Sequence, residues 1–235
     1  MISANVEMLE LAAAALADLP DEVAFVGGAT VELWATDEAA PEFRPTEDVD
    51  VIVEIATRSA YYRFEDRLRE TGFLNEEEDG VICRFRQRDS GLLLDAMPTE
   101  ASILGFENRW QREAFPHAVA VVLPSGRSIR AIPPTYLLAT KLEAFRARGK
   151  GDLYGSRDFE DVVALVDSRE ELVGEVAAAA AELRKFVSGQ LGRLLHHEVF
   201  ASAAEGALKG GSETRERFEL VVRPRIEAIV AGRDS

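Results

Sequence analysis

The chain changes character at Pro133-Pro134, and this change restricts its folds more than any other feature. Before it, short apolar and β-branched runs alternate with helix patterns. After it no run reads as a strand, and apolar residues recur at helical spacing over 134–147, 157–167, 169–187, 189–208 and 213–231. Strands followed by an unbroken series of helices imply an α+β chain in two parts, a mixed sheet flanked by helices and then an all-helical half. The expected domains are residues 1–132 and 133–235.

Within the first part, residues 4–19 form an amphipathic pattern, 22–27 (EVAFVG) a short strand and 29–36 a helix. A loop carrying Pro41 and Pro45 leads to a β-branched strand over 48–55. Residues 59–71 read as a charged amphipathic helix stopped at Gly72, a residue suited to the left-handed position past a helix end. Two hairpins follow: 81–87 with 91–98 across Arg88-Asp89-Ser90-Gly91, and 117–123 with 127–132 across Pro124-Ser125-Gly126-Arg127.

The 235 residues, 47% of them hydrophobic, suffice for one large core or two small ones. No apolar run approaches membrane-spanning length. The N-terminal 20 residues carry Glu7, Glu10 and Asp18 and no basic segment, so they do not read as a signal peptide. A single cysteine, Cys83, excludes an internal disulfide and a cysteine zinc site, and the cytoplasm is the expected compartment. A formal charge of −15 repels nucleic acid except at a local basic patch. Residues 37–54 hold seven carboxylates against Arg44 alone, while Glu76-Glu77-Glu78-Asp79 reads as a solvated turn.

Asp48 and Asp50 share one face of their strand, about 7 Å apart along it. Neighbouring like charges raise each other's pKa and oppose folding unless a cation offsets them, and a hard divalent ion such as Mg²⁺ suits a few carboxylates plus substrate phosphates. Exposure to water at a strand entrance is the competing reading. Asp95 ends the run Leu92-Leu93-Leu94, where a buried strand would ordinarily continue apolar, and supplies a third carboxylate. Gly27-Gly28, between strand and helix, permits close approach of a phosphate to backbone N–H groups; a simple tight turn uses the same residues. Lys141 follows Leu137 by four and precedes Phe145 by four, so it lies within the apolar stripe of its helix and requires an anionic partner. That partner is a carboxylate or a nucleotide phosphate. Ser156 is an N-cap candidate, which makes Asp158 a first-turn acid.

The order Val26-Gly27-Gly28-Ala29, then Arg44-Pro45-Thr46-Glu47-Asp48-Val49-Asp50-Val51, then an aspartate on a later strand resembles the DNA-polymerase-β-like nucleotidyltransferase superfamily. The lysine helix Tyr136–Lys150 and the segment Ser156-Arg157-Asp158-Phe159-Glu160-Asp161 sharpen this to a resemblance to the AbiEii-type nucleotidyltransferase toxins, which include the MenT group. The resemblance covers residues 22–168. It implies a polymerase-β-like core and Mg²⁺-dependent (or Mn²⁺-dependent) transfer of a nucleotide from an NTP. Asp48, Asp50 and Asp95 would hold metal and carry catalysis; Gly27, Gly28, Thr46 and Lys141 would bind nucleotide. Lys141 would steady the triphosphate as a point charge, with Asp158, or Asp161 as the alternative, beside it. It further implies a toxin–antitoxin system with an antitoxin protein as partner and tRNA as one candidate acceptor. The 19 residues between Gly28 and Asp48 exceed the usual spacing and imply an inserted loop.

Two weak basic patches, Lys141, Arg146, Arg148, Lys150 and Arg157, and Arg215, Arg217, Arg223 and Arg225, serve an RNA backbone or simply face solvent. The acidic surface favours instead a small cationic acceptor such as an aminoglycoside. A member that only binds nucleotide or protein is the non-enzymatic alternative, and no membrane role is expected. His196-His197 lacks metal-ligand spacing, Cys83 reads as a packed small residue, and Trp34 and Trp110 read as core.

Overall fold

The computed structural model describes residues 2–19, 22–76, 82–105, 108–149, 151–210 and 213–232. The chain divides into two units, Met1–Leu33 with Pro45–Pro133, and Trp34–Arg44 with Pro134–Ser235. Among the described residues no helix is long and apolar enough to cross a membrane.

The first unit is built on a seven-stranded sheet: β1 (Val23–Val26), β2 (Asp48–Val53), β3 (Phe73–Asn75), β4 (Arg84–Gln87), β5 (Leu93–Pro98), β6 (Val119–Val122) and β7 (Ser128–Ala131). The spatial order is β3-β4-β5-β2-β1-β7-β6. Two pairs, β2 with β5 and β1 with β7, are parallel and the others antiparallel, so the sheet is mixed, as expected. Its centre is buried: Phe25, Val49, Val51, Ile52, Phe85, Leu94 and Ala96 are at most 2% exposed, which explains the β-branched composition of β2.

Among the described residues, three α-helices accompany the sheet. In α1 (Ala4–Ala15) the Ser3 side chain caps the Val6 N–H, and Leu9, Ala12 and Ala13 are buried. In α2 (Arg58–Glu70) Thr57 caps Ala60, and Tyr61, Phe64 and Leu68 form the buried face. The Tyr61 hydroxyl donates to the Ala96 carbonyl at 2.9 Å, fastening α2 to β5. Past its end Gly72 takes φ +92°, the left-handed conformation that favours glycine. The third helix, α3 (Arg109–Ala114), buries Trp110 completely.

Some expected elements differ. The segment after Gly27 is a 3₁₀ helix, Gly28–Trp34, and not an α-helix. The strand expected over 81–87 begins only at Arg84, with Ile82 and Cys83 in a turn. Strand β3 was not expected, since its three residues are too few to show alternation. Glu76 pairs with Arg86 at 2.5 Å, while Glu77, Glu78 and Asp79 lie outside the described residues.

The second unit is helical: α4 (Pro134–Arg148), α5 (Arg157–Ser168), α6 (Leu172–Ala178), α7 (Ala181–Leu195), α8 (Phe200–Ala207), α9 (Thr214–Arg217), a π turn (Phe218–Val222) and α10 (Arg223–Ala231). The π turn ends two residues before Pro224, which has no N–H to continue the helical ladder. A run of aromatic rings forms its core. Phe145, Phe159, Phe200 and Phe218 meet at centroid separations of 5.9, 6.1 and 5.8 Å. The helices expected over 169–187 and 189–208 are each divided, at Ala179-Ala180 and between His196 and Val199. Neither break contains proline or glycine, so the sequence pattern runs through both.

Residues 34–44 belong to this second unit. The Thr36 and Asp37 N–H groups both donate to the Ser168 carbonyl at 2.9 Å. Arg217 joins Asp37 (2.7 Å) to the buried Asp167 (2.6 Å). Burial raises the Asp167 carboxyl, opposed by the guanidinium of Arg217.

Candidate active site

Two polar clusters gather nearly all the residues singled out in the sequence, one in each unit. In the first unit, the parallel register of β2 and β5 sets Asp50 opposite Asp95 and Asp48 opposite Leu93. Like charges facing each other across strands are destabilising. On the other side of β5, the antiparallel register of β4 sets Arg84 opposite Asp95. Its guanidinium grips Asp95 with Nε–Oδ1 at 2.7 Å and Nη2–Oδ2 at 2.8 Å, and Nη2 also reaches Asp48 Oδ2 at 2.5 Å. The side chains of Arg84 and Asp95 are 14% and 11% exposed, that of Asp48 26%. Three carboxylates therefore share a small region of sheet with one arginine.

Gly27 forms one wall of this cluster. The antiparallel register of β1 and β2 pairs its neighbour Val26 with Asp50. Gly27 takes φ +84°, and a Cβ built there would meet the Asp50 carboxylate oxygen at 1.8 Å. Only a residue without a side chain admits Asp50 at this position. The Gly27 carbonyl accepts from the Thr30 hydroxyl (2.9 Å) and the Thr30 N–H (3.3 Å), so the buried Thr30 hydroxyl closes the turn. Thr46, two residues before Asp48, is tied to Asn5 of α1: its N–H donates to Asn5 Oδ1 at 2.9 Å, and its hydroxyl reaches the Asp48 carbonyl at 3.2 Å.

Cys83 is buried beside this cluster. Its thiol is pushed up to about 12, by burial first and then by the charges of Asp95 and Asp50. It is a packed residue, as expected.

In the second unit, Ser156 caps α5 by accepting from the Phe159 N–H at 3.3 Å. Asp158 and Asp161 are 5% and 6% exposed, so Asp158 is a buried group and not a solvated first-turn acid. Lys141 Nζ forms ion pairs with Asp161 at 2.7 Å and Asp158 at 3.7 Å. Arg148 binds Asp158 through both Nε (2.8 Å) and Nη2 (2.9 Å). Arg44, at the end of the loop segment of this unit, pairs with Glu160 at 2.9 Å and Asp161 at 3.0 Å. The apolar stripe of α4 thus carries a lysine that is neutralised from α5.

Arg84 and Arg44 are the residues that sequence reasoning missed as members of these clusters. Nothing in the sequence singles out Arg84, although the strand neighbour carrying Asp95 requires a counter-charge. Among the described residues, His196 and His197 join no metal-ligand group and are exposed. Trp34 is half-buried. Arginines offered for an RNA backbone are engaged within the protein: Arg148 and Arg217 as above, Arg146 with Glu143 at 2.6 Å, Arg223 with Glu219 at 2.8 Å, and Arg225 with the carbonyls of Val166 and Asp167.

Among the described residues no three His, Cys, Asp or Glu side chains converge as a formed metal site. The donor chemistry nevertheless suits a hard cation: carboxylates from two adjacent strands, with the side-chain-free Gly27 against Asp50. Arg84 is the positive charge that bridges Asp48 and Asp95.

No curated protein sequence matches the chain. Among solved structures, an antigenic nucleotidyltransferase-like protein from Paracoccidioides brasiliensis aligns over 88% of this chain and 94% of its own, with TM-score 0.50 and 18% identity, a likeness of fold. The antibiotic-resistance factor ANT(2'')-Ia aligns over 83% of this chain and 95% of its own at TM-score 0.49 and 13% identity. The sequence model of the family described as nucleotidyl transferase AbiEii toxin, type IV TA system, matches residues 10–221. Strand, Gly-Gly turn, Asp-x-Asp strand and lysine helix all lie within that match, and the chain belongs to the AbiEii nucleotidyltransferase family.

Proposed function

We propose that this nucleotidyltransferase transfers a nucleotide from an NTP to an acceptor hydroxyl, as the toxin of a type IV toxin–antitoxin system. The observation that carries the reading is the sheet register: Asp50 and Asp95 stand opposite each other, with Gly27 left bare against Asp50. Asp48, Asp50 and Asp95 would hold Mg²⁺ or Mn²⁺ in a two-metal arrangement. When bound, such ions polarise phosphoryl oxygens and neutralise developing charge.

In the transfer, the acceptor oxygen bonds to the α-phosphorus and the bond to the bridging oxygen breaks, releasing pyrophosphate. The hydroxyl proton leaves the acceptor with help from Asp95. Gly27 and Gly28 offer the nucleotide backbone without side chains, and Thr46 braces the strand that carries Asp48. Lys141 would be the phosphate-side cation; within its own unit its ammonium pairs with Asp161 and Asp158.

The family favours a tRNA acceptor and an antitoxin partner. One observation favours a small cationic acceptor of aminoglycoside type as a second reading: the charge of −15, with Arg217, Arg223 and Arg225 already committed to acids and carbonyls of the protein. Incubation with each α-labelled NTP, Mg²⁺, and either total tRNA or an aminoglycoside panel separates the two. Label in the tRNA band, together with growth arrest on induction, supports the toxin reading. Label on an antibiotic alone replaces it with the second.

A further inference from the structure

A guanidinium in the middle of the carboxylates has a consequence for metal binding. Arg84 meets Asp95 in a fork geometry, Nε on Oδ1 and Nη2 on Oδ2, and reaches Asp48, the more exposed of the two acids, through Nη2. Forked arginine–carboxylate pairs are strong and directional. The contact to the more exposed Asp48 is the one that can exchange.

We propose that Arg84 is a built-in competitor for the divalent cation: it neutralises Asp48 and Asp95 until the cation arrives, and the cation binds only as Asp48 gives up the guanidinium. This deepens the proposed function and rests on its assignment of Asp48, Asp50 and Asp95 to a metal.

The physics fixes the direction. Arg84 and a cation would both draw on the Asp48 carboxylate, so stability in the Arg84–Asp48 contact would be subtracted from the affinity for the cation. Arg84 also contributes a like charge next to the incoming ion, in a partly buried place where screening is weak. In return it stabilises three acids that would otherwise repel each other across β2 and β5. The released guanidinium keeps its fork on Asp95, and the Nη2 group that leaves Asp48 is planar with that fork and suited to a phosphate oxygen. The arrangement makes the carboxylate cluster receptive when cation and triphosphate arrive together, because the triphosphate takes up the charge that Arg84 withdraws from Asp48.

The test is direct binding of Mn²⁺, followed by paramagnetic resonance of the free ion, to the full chain and to Arg84→Gln, with a thermal melt of each protein with and without Mn²⁺. The proposal expects Arg84→Gln to melt lower than the parent without the ion, to bind Mn²⁺ at least tenfold more tightly, and to gain more in Tm from it. Arg84→Lys keeps a positive charge and loses the fork, so its affinity should rise by roughly threefold or more; it carries the test if Arg84→Gln does not fold. Parental or weaker Mn²⁺ affinity in both variants overturns the role of Arg84 while leaving the metal reading in place. No saturable Mn²⁺ binding by the parent or either variant overturns both.

Discussion

Substituting Gly27 by alanine should damage the carboxylate cluster through geometry alone. At φ +84° a Cβ costs about 1–2 kcal/mol in backbone strain. The added methyl would also lie 1.8 Å from Asp50 Oδ2, 2.6 Å from its Cγ and 2.8 Å from its Cβ. Rotating the carboxylate removes the first two contacts but not the third, so β2 must also move relative to β1, at an overpacking cost of about 1–3 kcal/mol. The expected loss is about 2–5 kcal/mol, read as a lowered urea midpoint at unchanged slope. A double-mutant cycle assigns the cause. In an Asp50→Ala background the carboxylate is absent, and Gly27→Ala should cost at least about 1 kcal/mol less than in the parent. An equal cost in both backgrounds would refute the argument that Asp50 is what requires glycine here.

Lys141→Met removes the ammonium between two buried aspartates and should destabilise the chain by about 3 kcal/mol, with Asp161→Asn recovering part of that loss in the double variant; urea titration of the four proteins measures both. Arg217→Ala should cost more at pH 8 than at pH 4, measured by thermal melts. Burial raises the Asp167 carboxyl, so its contribution is favourable at low pH and lost as pH rises, whereas Asp37, lowered despite partial burial by its Arg217 partner, contributes above its ordinary value and less in acid; both make the arginine matter more at high pH. Cys83, pushed up to about 12 by burial, should resist iodoacetamide in the native protein at pH 8 and react at the ordinary rate in 6 M urea. Raising the pH from about 9 towards 12 should also destabilise the fold, because the unfolded thiol ionises first; ready native alkylation at pH 8 would contradict its burial.

The chemistry-bearing strand was the most legible part of the chain. Asp-x-Asp heading a β-branched run marks both a buried strand and an offset charge, and Asp95 after three leucines needs a partner for the same reason. The partner could not be read, because it depends on β4 pairing with β5 in a register that sets Arg84 beside Asp95. Lys141 announced its need for an anion by its place in an apolar stripe. Arg44 did not, since it comes from a loop and meets residues 116 and 117 positions further on. In the helical half, Ala179-Ala180 ends a helix with residues that favour helix, so propensity misleads there and packing decides. The buried pair of Asp167 and Arg217 has the same origin, its members standing 50 positions apart.

The central claim is that the Asp48 carboxylate serves nucleotide transfer. Its direct test is the rate at which Asp48→Asn transfers label from α-labelled NTP in the presence of Mg²⁺, beside a thermal melt showing that the variant remains folded. The expected loss is about a thousandfold or more, roughly 4 kcal/mol in the barrier. A folded Asp48→Asn protein that transfers label at the parental rate would contradict it.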